Sequence, residues 1–226
     1  MIARPSPLDR YKSFFEQYSV RLSASQYNQI HRYLDELLQW NKAFNLTGLY
    51  SMDEVIRHLL LDSLICAANL PKSGMLLDVG SGAGFPAIPV KIYSPGLHMY
   101  LLEPNRKKAN FLKHMKRVLS LRGLEVSRHR LEERQVSNGG MYDVITARGV
   151  MGPADLLRVA GRLLRDRGVV ALFLGKDTNK IMSVFEGRAK EAGLRLRQQL
   201  EYTLPGLKTS RTLCFFERVG KRLLTS

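Results

Sequence analysis

A short glycine-rich segment between a predicted strand and a predicted helix constrains the fold of this chain more than any other feature. Its residues are Asp78-Val79-Gly80-Ser81-Gly82-Ala83-Gly84-Phe85-Pro86. The preceding run Met75–Val79 is short and apolar and ends in glycines, which predicts a buried strand. Pro86 suits the first turn of the following helix, where a missing backbone N–H is tolerated. Glycines permit a tight turn and close approach of a ligand, so the segment predicts a ligand-binding turn at the carboxyl end of a strand.

An acidic residue follows this turn at the distance that is typical of nucleoside binding. Glu103 closes a second predicted strand, His98–Glu103, and comes 21 residues after Gly82. In an open α/β sheet, an acid about 20 residues on accepts hydrogen bonds from ribose hydroxyls. The turn lacks the Gly-Lys-Ser/Thr of a Walker A loop, and its GxGxG spacing differs from the dinucleotide GxGxxG. S-adenosylmethionine therefore fits better than NAD, and Asp78 either orients the turn or meets the ammonium of the methionine moiety.

The remaining predicted elements alternate along the chain and set the fold class. Asn105–Leu121 is an amphipathic helix. The other predicted strands are Tyr142–Ala147, Val169–Leu174 and Thr212–Val219, and the other predicted helices are Pro86–Ile92, Asp155–Leu164 and Ile181–Ala192. This alternation predicts an α/β, Rossmann-like fold with a mostly parallel sheet and helices on both faces.

The first 70 residues are predicted to form a helical extension. Two capping boxes, Ser23 with Gln26 and Ser51 with Glu54, precede apolar residues at helical spacing. Residues 71–74 are rich in turn formers, which places a domain boundary there. The chain is thus predicted to consist of an N-terminal extension over residues 1–70 and a catalytic domain over residues 71–226.

The charge of the chain favours a polyanionic partner. Lys and Arg number 35 and Asp and Glu number 20, giving a formal net charge of +15. Such an excess favours nucleic acid through phosphate contacts and counterion release, although a merely basic soluble protein or a membrane-surface binder would share it. The side chains expected to face a nucleic acid lie on the helix after Glu103, where acids are too scarce to balance them. They are Lys107, Lys108, Lys113, Lys116 and Arg117.

Other features favour a cytoplasmic protein. Cys66 and Cys214 have neither CxxC spacing nor neighbouring ligands, so free thiols and no metal site are expected. The first seven residues lack the apolar core of a signal peptide, and no run approaches the roughly 20 apolar residues of a membrane span. The absence of coiled-coil heptads favours a monomer.

Several short pieces between Trp40 and Glu217 form a recognisable set. They are Trp40-Asn41-Lys42-Ala43-Phe44-Asn45-Leu46-Thr47, His58 with Asp62-Ser63, Asp78 to Pro86, Lys107-Lys108 with Phe111-Leu112, Arg130 with Glu132, Thr146-Ala147-Arg148, and Leu204-Pro205-Gly206 with Arg211. With these pieces the chain resembles the RsmG/GidB family, the bacterial 16S rRNA guanine-N7 methyltransferases. It departs from the family pattern at Ala87, at Gly149 and at residues 172–176, where a lysine of the family is absent or shifted.

The resemblance implies a class I S-adenosylmethionine-dependent methyltransferase that binds RNA and takes part in rRNA processing. Its implied partner is 16S rRNA or the small ribosomal subunit. It places the cofactor against Gly80, Phe85, the Leu131-Glu132 pair and Arg148, with Glu103 as the ribose acid. The glycine turn itself adds Asp78, Gly82 and Gly84 to the predicted cofactor site.

The residues themselves favour a target that is already nucleophilic. Methyltransferases of exocyclic amines tend to carry an Asn/Asp-Pro-Pro-Tyr/Phe segment after the fourth strand, where this chain has Thr146-Ala147-Arg148-Gly149. Pyrimidine C5 methylation needs a cysteine nucleophile, and both cysteines lie in predicted core elements. Guanine N7 exposes a lone pair and needs only alignment with the sulfonium methyl group, so no catalytic base is predicted.

Four polar residues are predicted to support the site. The guanidinium fork of Arg148 is expected to hold a carboxylate or phosphate at the pocket. His58 and Asp62 lie four residues apart and share a helix face, with a structural or substrate-positioning role favoured over a base. Asn45 is expected to cap a helix or to join that network.

Other functions stay open on the sequence alone. A methyltransferase of another RNA or of a small molecule would carry the same turn. A non-catalytic ribosome-assembly protein would keep the fold without the activity, although the intact turn and Glu103 argue against it. A NAD-linked dehydrogenase would need the other glycine spacing and a hydride-transfer residue.

Overall fold

A seven-stranded sheet forms the centre of the computed structural model, which describes residues 7–131, 141–175 and 178–220. The strands are β1 (Ser73–Val79), β2 (Gly96–Leu102), β3 (Leu124–Ser127), β4 (Tyr142–Ala147), β5 (Leu164–Leu174), β6 (Leu194–Thr203) and β7 (Ser210–Arg218). They lie in the order β3-β2-β1-β4-β5-β7-β6. The first five in this order run parallel, and β7 is antiparallel to both of its neighbours. The predicted α/β fold with a mostly parallel sheet is confirmed.

Helices cover both faces of the sheet. Successive side chains along each strand point to opposite faces, and the apolar ones on each face pack against helices. They are α1 (Lys12–Gln17), α2 (Ala24–Phe44), α3 (Met52–Val55), α4 (Leu61–Asn69), α5 (Ala87–Tyr93), α6 (Arg106–Val118), α7 (Pro153–Leu163) and α8 (Thr178–Glu191). Leu76 and Val144 join a hydrophobic cluster with α2, α4, α5 and α6. Their neighbours Leu77 and Ile145 join a second cluster with α7 and α8.

The helices that precede β1 belong to the larger of these clusters. Both predicted capping boxes are present, with Ser23 and Gln26 at the start of α2 and Ser51 and Glu54 at the start of α3. The predicted helix after Ser51 is interrupted by a π-helical turn, Ile56–Leu60, between α3 and α4. Such turns shift backbone carbonyls out of the regular α-helical pattern and are frequent at functional sites.

Two strands have no counterpart in the sequence prediction. The strand β3 is only four residues long and lies at one edge of the sheet. The strand β6 lies at the opposite edge, where polar residues alternate with half-buried ones and a register shift falls between Leu196 and Gln198. Short or polar edge strands show only a weak hydrophobic alternation in the sequence, because an edge strand is paired along one side only. The final antiparallel pair is therefore a finding of the structure.

The strand order reverses beside β1, whose neighbours are β2 and β4. The turns that follow these parallel strands meet at one edge of the sheet, which is where ligands bind in open α/β folds. The glycine turn follows β1, Glu103 follows β2 and Arg148 follows β4. Within the described ranges, no helix is long and apolar enough to cross a membrane.

Candidate functional site

The glycine turn is held in place by backbone hydrogen bonds and leaves one side open. The N–H groups of Gly80 and Ser81 donate to the Leu102 carbonyl at 2.8 and 3.0 Å, and the Gly84 N–H donates to the Ser81 carbonyl at 2.7 Å. Gly82 has φ +58°, and a Cβ placed on it would meet nothing closer than the Gly80 carbonyl oxygen at 3.9 Å. The backbone at Gly82 therefore faces open space that a ligand can occupy.

Glu103 contacts this turn directly. Its Oε2 accepts the Gly82 N–H at 2.7 Å, and its Oε1 accepts the Asn105 N–H at 2.9 Å. The residue is buried. Because an ionised carboxylate has about four lone-pair sites, both oxygens keep capacity for ligand hydroxyls. The structure thus brings the predicted ribose acid to the predicted turn.

Two hollows meet at Gly80, which lines both of them. The smaller, of about 180 Å³, is lined by Val79, Gly80, Leu102, Pro104, His129, Arg130, Leu131, Val150 and Met151. The larger, of about 330 Å³, is lined by Leu46, Thr47, Gly48, Leu49, Leu59, Gly80, Ser81, Gly82, Ala83, Phe85, Arg148 and Gly149. The mainly apolar smaller hollow suits a base, and an elongated ligand lying across Gly80 would reach both hollows. Leu131 lines the smaller hollow, Phe85 and Arg148 line the larger one, and Glu132 lies outside the described residues.

Asp78 lies at the end of β1 with one carboxylate oxygen unused. Its Oδ1 accepts the Thr146 hydroxyl at 2.6 Å, whereas Oδ2 is buried with no hydrogen-bond partner in the described part of the chain. Burial raises the pKa of Asp78 to about 6, and the nearby Glu103 charge contributes. A buried carboxylate oxygen without a hydrogen-bond partner lowers the stability of the folded protein. This group fits a positively charged ligand group such as an ammonium.

The raised pKa of Asp78 predicts that the stability of the protein depends on pH. Its folded-state pKa of about 6 exceeds the unfolded value of about 4, so the folded state binds more protons between these values. The free energy of unfolding should therefore fall as the pH rises from about 4 to about 6, by on the order of 3 kcal/mol, and level off above. We expect the free energy of unfolding of Asp78→Asn, measured by urea unfolding, to rise relative to that of the wild type as the pH is raised from about 4.5 to about 7. An equal difference between the two proteins at both pH values would contradict this assignment.

The carboxylate of Asp62 joins two arginines beside the larger hollow. Its Oδ2 accepts from Arg148 at 2.8 Å and also from Arg211. The π-helical turn contributes carbonyls: Arg148 donates to the Leu59 carbonyl at 3.1 Å, and Arg211 donates to the His58 carbonyl at 3.1 Å. Burial lowers the pKa of Arg148, and the Asp62 charge opposes this. The network fixes the strand end after β4 to helix α4.

The predicted supporting residues thus have structural partners. The carboxylate that Arg148 holds is that of Asp62, while the Arg148 side chain also lines the larger hollow. His58 Nδ1 lies 3.5 Å from Arg211, which links it to the same network. Asn45 ends α2 in a left-handed conformation, so it caps a helix as predicted. The role of Arg211 was missed by reasoning from the residues, although the Leu-Pro-Gly…Arg piece contained it.

The helix α6 carries a strongly basic surface, defined as Arg106, Lys107, Lys108, Lys113, Lys116 and Arg117. All six are exposed except Lys108, which is half-buried. The helix has no Asp or Glu, and none of the six forms an ion pair with another described residue. Its opposite side packs into the core through Ala109, Phe111, Leu112 and Met115. The predicted set of lysines and Arg117 therefore forms one solvent-facing surface.

The described ranges contain no cluster of candidate metal ligands. No group of three or more His, Cys, Asp or Glu there could hold a metal ion. Cys66 and Cys214 are free and buried, and burial raises the pKa of the Cys214 thiol to about 11. Lys176, at the position where the family lysine could have shifted, lies outside the described residues.

Comparisons with known sequences connect this geometry to one family. The family model GidB, described as rRNA small subunit methyltransferase G, matches residues 26–213. The ribosomal RNA small subunit methyltransferase G 1 of Syntrophobacter fumaroxidans is 36% identical over 220 residues, covering 96% of this chain and 98% of that protein. The ribosomal RNA small subunit methyltransferase G of Chloroflexus aggregans is 42% identical over 161 residues, covering 67% and 68%.

Solved structures share the fold at low sequence identity. The TYW2 protein of M. jannaschii, solved in complex with AdoMet, has a TM-score of 0.57 and 19% identity, covering 70% of this chain and 75% of that chain. A methyltransferase from Pyrococcus furiosus has a TM-score of 0.56 and 19% identity, covering 85% and 99%. Both share the Rossmann-like α/β fold of this chain.

Proposed function

The chain belongs to the GidB family of rRNA small subunit methyltransferases G, and from this premise we propose that it methylates N7 of a guanine in 16S ribosomal RNA. The family predicted from the sequence is thereby confirmed, as are the enzyme class and the cofactor S-adenosylmethionine. The choice of N7 and the roles of individual residues are the proposed part.

We propose that the residues lining the two hollows hold the cofactor together with Glu103 and Asp78, which lie beside the glycine turn. Glu103 would accept the ribose hydroxyls, and the apolar wall that includes Leu131 would contact the base. The open backbone at Gly82 would let the ligand approach closely, and Asp78 Oδ2 would receive the ammonium. When bound, S-adenosylmethionine supplies an electrophilic methyl group on a positively charged sulfur.

One observation carries the choice of N7. The described residues that line the larger hollow include no Asp, Glu, His, Cys, Lys or Tyr. A target that must lose a proton would need such a general base within hydrogen-bond reach. Guanine N7 already has a lone pair, so the chain has only to align it with the methyl group. Arg148, fixed by Asp62, would form a rigid wall for that alignment.

The basic surface on α6 is proposed to bind RNA phosphates. We expect Lys113→Glu combined with Lys116→Glu to weaken RNA binding, because lysines that neutralise phosphates release counterions. The slope of log K against log salt concentration should become shallower by about 0.7 for each phosphate of single-stranded RNA that the variant no longer neutralises. The measurement is RNA binding between 50 and 300 mM salt, with exposed Lys190→Glu on α8 as the control. An unchanged slope would remove this surface from the RNA interface.

Some parts of the proposal concern the whole molecule. We propose that the protein works in the cytoplasm, since its substrate is ribosomal RNA, and that it works as a monomer. We also propose that residues 1–70 are an extension of a methyltransferase domain over residues 71–226. The extension contributes Leu46 to Leu49 and Leu59 to the larger hollow, and this supports a part for it in substrate positioning.

The proposal is tested by methyl transfer from radiolabelled S-adenosylmethionine to small ribosomal subunits from a strain that lacks this gene. After digestion to nucleosides, the label is expected to migrate with 7-methylguanosine. Label in another nucleoside would support methyltransferase activity but contradict the assignment of N7 as the methylated atom. Cofactor binding without label would favour another RNA or a small molecule as substrate. If the protein shows no cofactor binding and transfers no label, a non-catalytic ribosome-assembly protein would be favoured.

A further inference from the structure

Two exposed aromatic side chains flank residues 46–49, which line the larger hollow, and the segment from Phe44 to Tyr50 forms the rim of that hollow. Tyr50 is 67% exposed and Phe44 is 42% exposed. Most other aromatic residues of the described part are buried in the core or packed against it. Single exposed apolar residues are ordinary, but two aromatic rings beside a ligand hollow indicate a contact surface.

The segment that presents these rings is held firmly. Residues 46–49 line the hollow, between Phe44 at the end of α2 and Tyr50 before α3. The buried Asn41 side chain fastens the segment, donating to the Leu49 carbonyl at 2.8 Å and accepting the Thr47 N–H at 2.8 Å. The Tyr50 hydroxyl lies 3.3 Å from Asn45 Oδ1, to which it donates. These hydrogen bonds hold the Tyr50 ring next to the segment that lines the hollow.

Phe44 connects this rim to the basic surface on α6. Its ring contacts Trp40, with ring centroids 5.4 Å apart. The Lys107 ammonium lies 5.8 Å from the Phe44 ring centroid. Aromatic rings next to cations match single-stranded nucleic acid, whose bases stack on the rings while its phosphates meet the cations. The aromatic rings and the neighbouring positive charge of this rim therefore both match single-stranded nucleic acid.

The proposed reaction needs such a surface. The major groove of an RNA helix is deep and narrow, so side chains cannot reach guanine N7 inside a duplex. The target guanine has to leave its stack, and its neighbours lose stacking partners as a result. We propose that Tyr50 stacks on a nucleobase adjacent to the target guanine and that Phe44 stacks on the next base along an unpaired RNA segment. This inference rests on the proposed function and adds that the substrate is unpaired around the target.

The test compares Tyr50→Ala with Tyr50→Phe in binding a fluorescein-labelled, single-stranded 12-nucleotide RNA that contains one guanine. Stacking on an aromatic side chain changes affinity by about five- to a hundredfold per base. We expect Tyr50→Ala to lose affinity in this range at every salt concentration between 50 and 300 mM, with an unchanged salt slope. Tyr50→Phe keeps the ring and loses only the hydrogen bond to Asn45, so it should stay within about twofold of the wild type.

Matched measurements make the outcome decisive. Val184→Ala, an exposed apolar residue on α8, should bind RNA as the wild type does. A duplex of the same sequence should bind the wild type and Tyr50→Ala alike. Wild-type affinity in Tyr50→Ala would overturn the stacking proposal, and so would an equal loss in Tyr50→Phe. Cofactor affinity and methyl transfer by the wild type are measured alongside, because their absence would remove the proposed function whatever Tyr50 does.

Discussion

Asp62→Asn is expected to lower the free energy of unfolding by about 3–5 kcal/mol, the range seen when one partner of a buried ion pair is removed. The Asp62 side chain is only 2% exposed, and both Arg148 and Arg211 donate to its Oδ2. Without the negative charge, two largely buried guanidinium groups would repel each other. The backbone carbonyls of His58 and Leu59 would remain as acceptors but carry no full charge.

The measurement is urea unfolding followed by circular dichroism at pH 7.5. Asp155→Asn is the matched control, because its ion pair with Arg158 is exposed on both sides and such pairs contribute at most about 1 kcal/mol. Arg211→Met should cost less than Asp62→Asn, since it leaves the pair between Arg148 and Asp62 intact. A loss in Asp62→Asn no larger than that in the control would show that the network does not hold the strand end to α4.

Glu103→Gln is expected to lower the affinity for S-adenosylmethionine about 10- to 100-fold. Hydrogen bonds to charged groups contribute about 1.5–3 kcal/mol, and about 1.4 kcal/mol corresponds to a factor of ten. The glutamine keeps the size of the side chain but replaces one acceptor oxygen with a donor NH₂ group. That group would face either the Gly82 N–H or the Asn105 N–H, both of which are donors themselves.

Isothermal titration calorimetry with S-adenosylmethionine measures this effect directly. Glu125→Gln on β3 is the control, because that carboxylate is exposed and lies away from the two hollows. Urea unfolding of both variants separates a loss of affinity from a loss of folded protein. Affinity within about threefold of the wild type would mean that the ribose hydroxyls have a different acceptor.

The parts of the site that sequence reasoning predicted depend on short-range patterns. The glycine turn and both capping boxes are encoded within a few residues, so their geometry follows from local rules. The pairing of Gly82 with Glu103 was predictable because a strand, a turn, a helix and a strand fix the distance between them. The alternation of strands and helices similarly predicts the parallel part of the sheet.

The parts that were missed depend on contacts between distant residues or on weak local patterns. Asp62 and Arg211 are 149 positions apart, and no periodicity relates them. The π-helical turn within Ile56–Leu60 leaves the apolar spacing of the helix nearly unchanged, although it supplies the carbonyls that both arginines use. The edge strand β6 alternates polar with half-buried residues, which obscures its strand pattern.

The central claim is that the chain aligns one guanine N7 with the methyl group without a catalytic base. The most direct test is N7-specific chain cleavage of 16S rRNA after methyl transfer to small subunits from the strain lacking this gene. The account predicts one new cleavage, at an unpaired guanine, that requires both the protein and S-adenosylmethionine. Incorporated methyl label with no new cleavage would contradict it, since the methyl group would then lie on another atom.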